Sequence, residues 1–199
     1  MSFYDVINKR RTIRQFDQEE ISKEVLERIL NAGLKAPSAG NQREWELITI
    51  TDKDIILDLA KFVLPYPCNI KEPKTPQQEM LKIAYPRQRS MIEESTCVIL
   101  VLYKQKHEFN NSPNNFGLMD YGSAWALIEN ILLAATYEGL GTGIHVPVQK
   151  EPQQIKEFMK IPYNYYLPAM IMLGYIPENV LLPKQIEANV NDLVHWNKW

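Results

Sequence analysis

Three stretches of the chain hold side chains whose type and spacing could do chemistry. The first is Lys9-Arg10-Arg11-Thr12-Ile13-Arg14, four cations in six positions with one hydroxyl among them, in a run from Val6 to Phe16 that holds no acid. Arginine grips phosphate through two parallel N–H donors, and Thr12 adds a hydroxyl, so the run fits a phosphate cradle. It equally fits cations placed to complement the dipole at the end of a helix. The second is Pro37-Ser38-Ala39-Gly40-Asn41-Gln42, where small residues let a ligand reach the backbone and Ser38, Asn41 and Gln42 offer donors and acceptors. Taken alone it is also an ordinary helix-to-strand connection. The third is Gly139-Leu140-Gly141-Thr142-Gly143-Ile144. It differs from the dinucleotide fingerprint, which follows a strand and opens a helix, because it follows a helix and leads to a strand. Gly139 fits a helix C-terminus, whereas Gly141 and Gly143 point to backbone brought close to something flat or bulky.

Familiar catalytic sets are missing. His107, His145 and His195 have neither metal-ligand spacing nor a readable Ser/His/Asp arrangement, and Cys68 and Cys97 form no CxxC pair. No metal site and no catalytic side chain are expected. The 22 Lys and Arg against 24 Asp and Glu give a net charge of −2, which argues against a nucleic-acid partner. Binding groups without a nucleophile point to a cofactor that carries its own chemistry.

The elements that position these groups follow from periodicity and caps. Ser2 caps a short helix ending near Arg10, and Ser22 caps a helix with Val25, Leu26, Ile29, Leu30 and Leu34 on one face, stopping at Ala36 before Pro37. Trp45 to Thr51 reads as a strand, and Asp52 opens a helix. The prolines at 65, 67, 73 and 76 mark a long loop or lid, and 77–94 is helical with a break at Pro86. Thr96 to Tyr103 is an apolar run typical of a strand buried on both faces, Asp120 to Glu138 is the most apolar helix, and Thr142 to Val146 is a short strand. Glu151-Pro152 opens a helix, and Ala169 to Ile176 is a further buried strand. With 199 residues, 45% of them hydrophobic, and no divider along the chain, the expectation is one domain of helices covering a sheet. No signal peptide or membrane span is read, so a cytoplasmic location is expected.

Five motifs in this order, Arg-Arg-Thr-Ile-Arg-Gln-Phe (10–16), Ala-Pro-Ser-Ala-Gly-Asn-Gln (36–42), Asp-Tyr-Gly-Ser-Ala (120–124), Gly-Leu-Gly-Thr-Gly (139–143) and Leu-Val-His-Trp (193–196), span nearly the whole sequence. Together they resemble the nitroreductase family of FMN-dependent oxidoreductases. The resemblance implies an α+β three-layer sandwich, a mixed sheet flanked by helices, in an intertwined homodimer with FMN at the interface and residues 177–199 packing as an arm on the partner. It implies that Arg10, Arg11 and Thr12 hold the FMN phosphate and that Arg14 reaches the ribityl chain and pyrimidine edge. Pro37, Ser38, Ala39 and Asn41 come from the other subunit. The segment Gly143-Ile144-His145-Val146 lies near flavin N5, with an amide of His145 or Val146 as donor, since Pro147 has none.

The activity implied is transfer of a hydride from NAD(P)H through FMN to a nitroaromatic, quinone or similar acceptor by a ping-pong cycle. Specialised chemistry on the same fold, flavin-fragmenting, dehalogenating or ring-oxidising, and a flavin-binding sensor are the alternatives. Two departures stand out. The cation usual before the terminal His-Trp is replaced by Glu187 and Ala188, with Lys184 as a substitute, and the proline-rich stretch offers only Asn69 and Lys71 as further flavin contacts. Tyr66 and Phe116 are candidates for a wall above the flavin.

Overall fold

The computed structural model describes residues 1–106, 116–180, 182 and 185–199, with Phe116 described as backbone only. The expectations placed on His107, Lys184 and the Phe116 side chain therefore lie outside the described residues. In chain order the elements are α1 (Phe3–Lys9), α2 (Lys23–Gly33), a short 3₁₀ turn (Ala39–Asn41), β1 (Trp45–Ile50), α3 (Lys53–Phe62), α4 (Pro76–Ala84), α5 (Gln88–Glu94), β2 (Cys97–Lys104), α6 (Phe116–Tyr137), β3 (Leu140–His145), α7 (Glu151–Phe158), β4 (Tyr165–Tyr175) and α8 (Val190–Leu193).

Local chemistry sets most of these boundaries. Ser2 and Asp5 form a reciprocal capping box on α1, Ser22 accepts from the Val25 amide at the start of α2, and Asp52 accepts from two amides of α3. Gly139, at φ +85°, ends α6 in a conformation that a side chain would strain. α6 begins four residues before the expected Asp120. β4 begins at Tyr165 rather than after Pro168, and the register with β2 shifts between Val101 and Tyr103 beside that proline. The irregularity accommodates a residue that cannot donate to the ladder.

The sheet runs β1-β2-β4-β3, and every pairing of these strands is antiparallel. The mixed sheet expected from the sequence is thus corrected: among the described residues the parallel component is the isolated bridge between Thr12 and Thr142. One apolar cluster lies between the sheet and α2 with α6, and the second between the sheet and α3, α5 and α7. This is the three-layer α+β arrangement.

A trench on the sheet receives the N-terminal segment. Gly141 of β3 pairs with Gly174 of β4, and Gly143 lies two residues further along β3. A Cβ at Gly141 would lie 2.9 Å from the Ile13 side chain, one at Gly174 2.8 Å from Phe16, and one at Gly143 2.7 Å from the Ile13 carbonyl and 2.5 Å from Met91 Sδ. The bulky groups that the glycines admit are therefore the protein's own Ile13, Phe16 and Met91. Ile13 and Phe16 are buried there, and the Ile13 amide donates to the Thr142 carbonyl at 2.7 Å. Ala at Gly143 should lower stability by about 1–3 kcal/mol, because the Ile13 backbone cannot step aside as a side chain can. Ala at Gly122, where nothing lies within 4 Å, should leave stability equal or higher. Urea unfolding of the two variants measures the contrast.

Candidate functional site

The trench fixes the backbone on either side of Ile13, so the cationic run is held out along the edge of β3. Arg10 caps the end of α1, its amide donating to the Val6 carbonyl at 2.9 Å. Its Nε is 3.7 Å from Glu129 Oε1 on α6, a long and half-exposed ion pair that contributes little and is readily exchanged. Arg11 Nη1 folds back to the Asn8 and Arg10 carbonyls at 2.6 and 2.7 Å, which is the helix-end role that the sequence left open for this run.

Arg14 is different. Its backbone is clamped by Arg87, whose Nε donates to the Arg14 carbonyl at 3.0 Å while its Nη2 forks Glu94 at 2.7 and 2.9 Å. The guanidinium is half-buried and, among the described residues, finds only poor acceptors, the Thr12 carbonyl and Met80 Sδ, both 3.5 Å from Nη1. Its buried Nε has no hydrogen-bond partner among the described residues. Burial lowers the Arg14 pKa from the ordinary guanidinium value, yet an arginine keeps its proton in proteins. A fixed, partly desolvated cation with an orphaned donor calls for an oxygen ligand.

The second motif forms the 3₁₀ turn against α6. The Ala39 amide donates to Ser123 Oγ at 2.9 Å, Ser38 Oγ accepts from the Arg43 amide at 3.0 Å, and Asn41, at φ +54°, accepts from Arg43 Nε at 3.2 Å. Ser123 and Glu129 stand six positions apart on α6. At 3.6 residues per turn this places them roughly 120° apart around the helix. Pro37, Ser38, Ala39 and Asn41 are thus mounted on a different face of α6 from Arg10.

The third motif ends in a buried cluster that sequence reading missed. Ile144 turns toward the α2–α6 side, whereas His145 is 2% exposed on the other, with Nε2 2.8 Å from Glu151 Oε2 and Nδ1 3.1 Å from Gln88 Oε1. Glu151, fully buried at the start of α7, also accepts from the Leu64 amide at 2.7 Å and the Val148 amide at 2.9 Å. Val146 is exposed just past the strand. No spacing rule links His145 to Glu151 across Pro147. Burial and Glu151's negative charge both raise the Tyr66 phenol, whose ring stands edge-on to His145 with centroids 6.1 Å apart.

Of the remaining candidates, the Lys71 carbonyl accepts from Lys82 Nζ at 2.7 Å, and Asn69 is exposed. Glu187, Ala188, His195 and Trp196 lie on an exposed arm, whose Gln185 reaches the Arg10 carbonyl at 3.4 Å. A cavity of about 490 Å³ opens between α7 and the start of β4 and shares Gln149 with the loop after β3. Arg10, Arg11, Thr12 and Arg14 do not line it.

An α+β sandwich with a cationic segment held along its edge strand fits a protein that binds a charged cofactor. The comparisons state the family. The model of the nitroreductase family matches residues 7–175, and the chain belongs to that family. It is 27% identical over 98% of its length to 97% of an Archaeoglobus fulgidus protein provisionally named an NADH dehydrogenase/NAD(P)H nitroreductase. It is 24% identical over 96% of its length to 74% of the iodotyrosine deiodinase of Nematostella vectensis. In fold it matches, over the full length of both chains, an iodotyrosine deiodinase solved with FMN and 3-iodo-L-tyrosine, with a TM-score of 0.74 and 20% identity.

If the Arg14 guanidinium is held for a ligand, its removal should not harm the unliganded fold. Arg14→Met should leave the unfolding free energy of cofactor-free protein unchanged or raised by up to about 1 kcal/mol, because a buried donor without a partner is a net cost. Differential scanning calorimetry of the two apoproteins measures it.

Proposed function

We propose that the protein is an FMN-dependent oxidoreductase that takes reducing equivalents from NAD(P)H and passes them to a nitroaromatic, quinone or similar small acceptor in a ping-pong cycle. The observation that carries this reading is the orphaned, buried Nε of Arg14 on a cationic segment pinned to β3. When bound, FMN supplies two-electron redox chemistry.

The chain's own residues bind and orient. Arg10 and Thr12, with Arg11 in support, hold the phosphate, Arg10 exchanging its long contact with Glu129 for a shorter one. Arg14 donates to the ribityl chain and the pyrimidine edge, where its charge favours a ring that gains negative charge on reduction. The backbone of Gly143, Ile144, His145 and Val146 borders the ring, with an amide of His145 or Val146 facing N5.

Pro37, Ser38, Ala39 and Asn41 serve the site of a partner subunit, a reading supported by their place on a different face of α6. The arm at 177–199 supports a homodimer too: Ile186, Val190, Leu193, Val194, Trp196 and Trp199 are all exposed in the single chain, more apolar surface than an isolated protomer ordinarily leaves in water. Deleting residues 177–199 should convert dimers to monomers in sedimentation equilibrium; dimers that persist would remove the arm from the interface.

The purified protein should be yellow, or take up FMN, and NAD(P)H should bleach it without oxygen. Protein that stays colourless with FMN present overturns the reading. Arg14→Met should weaken FMN binding about ten- to a hundredfold, the worth of one hydrogen bond from a charged donor, as read by flavin fluorescence titration.

Reductive dehalogenation is a second reading, favoured by the relationship to the Nematostella enzyme. Release of iodide from 3-iodotyrosine by the reduced protein, measured beside nitroaromatic and quinone reduction, decides between the two.

A further inference from the structure

The proposed chemistry leaves one buried ionisable cluster unused. Glu151 and His145 are sealed from water on the α7 side of the sheet, yet their hydrogen bonds reach three separate pieces of chain. Gln88 Nε2 donates to the Ala84 carbonyl at 3.1 Å, which turns its Oε1 toward His145 Nδ1. Nδ1 of His145 therefore faces Gln88 and Nε2 faces Glu151, so the ring is held at both nitrogens. The two oxygens of Glu151 accept from the Val148 amide in the loop after β3 and from the Leu64 amide at the entry to the proline-rich segment, and Oε2 also pairs with His145 Nε2. Leu64 is the last amide before Pro65, so this bond sets the direction in which Pro65 and Tyr66 leave α3.

Tyr66 then lies between His145 and Tyr85, with ring centroids 6.1 and 6.2 Å away. Tyr85 caps the end of α4, the helix that brings Met80 to Arg14. The carboxylate thus joins a floor, the loop 146–150, to a wall, Tyr66, that leads back to the Arg14 cation.

From this geometry we propose that Glu151 and His145 are positioning residues, a joint that fixes the distance between floor and wall and so selects acceptors by size. The acceptor part rests on the flavin reading above; the joint itself does not. A carboxylate fits because both of its oxygens accept: one backbone amide converges on each, and an amide of the same shape would bring a donor against one of them.

Glu151→Gln tests this. Whichever way the Gln amide turns, one of the two backbone amides loses its acceptor. Hydrogen exchange at Val148 or Leu64, followed by NMR, should accelerate about tenfold or more. Exchange at Ile99 and Ile171 in the middle of β2 and β4 should stay as in the wild type. Gln88→Leu reaches the joint from the other side, by removing the partner of Nδ1, and should speed the same amides by a smaller factor. In the flavin-loaded enzyme, Glu151→Gln should shift the kcat/KM preference between a one-ring and a two-ring quinone by about threefold or more, mainly through KM.

Wild-type exchange at both amides in both variants would overturn the proposal. So would equal acceleration at Ile99 and Ile171, which would make the pair a general prop of the fold. An unchanged ring-size preference with loosened amides would overturn the selection of acceptors. Protein that binds no FMN would sink the flavin reading while the exchange result still judges the joint.

Discussion

The contact between Ile13 and the glycine trench is the constraint on which the rest of the structure depends. Backbone hydrogen bonds from the Ile13 amide to the Thr142 carbonyl and from the Asp17 amide to the Tyr175 carbonyl, with the absence of Cβ atoms at Gly141, Gly143 and Gly174, let an extended strip of chain lie on the sheet. The strip shields an edge that would otherwise present free donors and acceptors. It also fixes the register of the side chains beside Ile13. A cationic run of four residues in solution would be a mobile, screened patch; against this trench Arg14 becomes a fixed charge with its backbone clamped and its Nε in want of an acceptor.

That arrangement spreads binding groups over places that one chain does not bring together. α6 is the common mount, with Arg10 touching it at Glu129 and the 37–41 turn at Ser123, on faces turned apart. In the proposed reading two copies of α6 bring the sets together, which makes a dimer a condition of cofactor binding rather than an addition to it. The apolar arm, lacking a core of its own, belongs to the same logic.

Much of this was legible in the sequence because local rules wrote it. Ser2, Ser22 and Asp52 are caps whose partners lie within three residues, and β2 is a run of apolar residues too regular to be anything but a buried strand. Gly141 and Gly143 announced a close approach, but what approaches them is Ile13, more than a hundred residues earlier, and no spacing rule carries that far. The same limit hid Glu151 and His145, whose meeting depends on where Pro147 turns the chain. The antiparallel direction of the strands was equally out of reach, since an apolar run reads alike in either direction. The balanced charge of −2 concealed a cluster that matters only because it is held in place.

If the pinned segment holds a phosphate-bearing flavin, the sharpest measurement is a comparison of ligands that differ in the phosphate alone. Equilibrium dialysis of the purified protein against FMN and against riboflavin, at the same ionic strength, isolates what Arg10, Arg11 and Thr12 contribute. FMN should bind about a hundredfold or more tightly than riboflavin, since two or more charge-assisted hydrogen bonds are lost with the phosphate. Equal affinity for the two, or binding of neither, would contradict it.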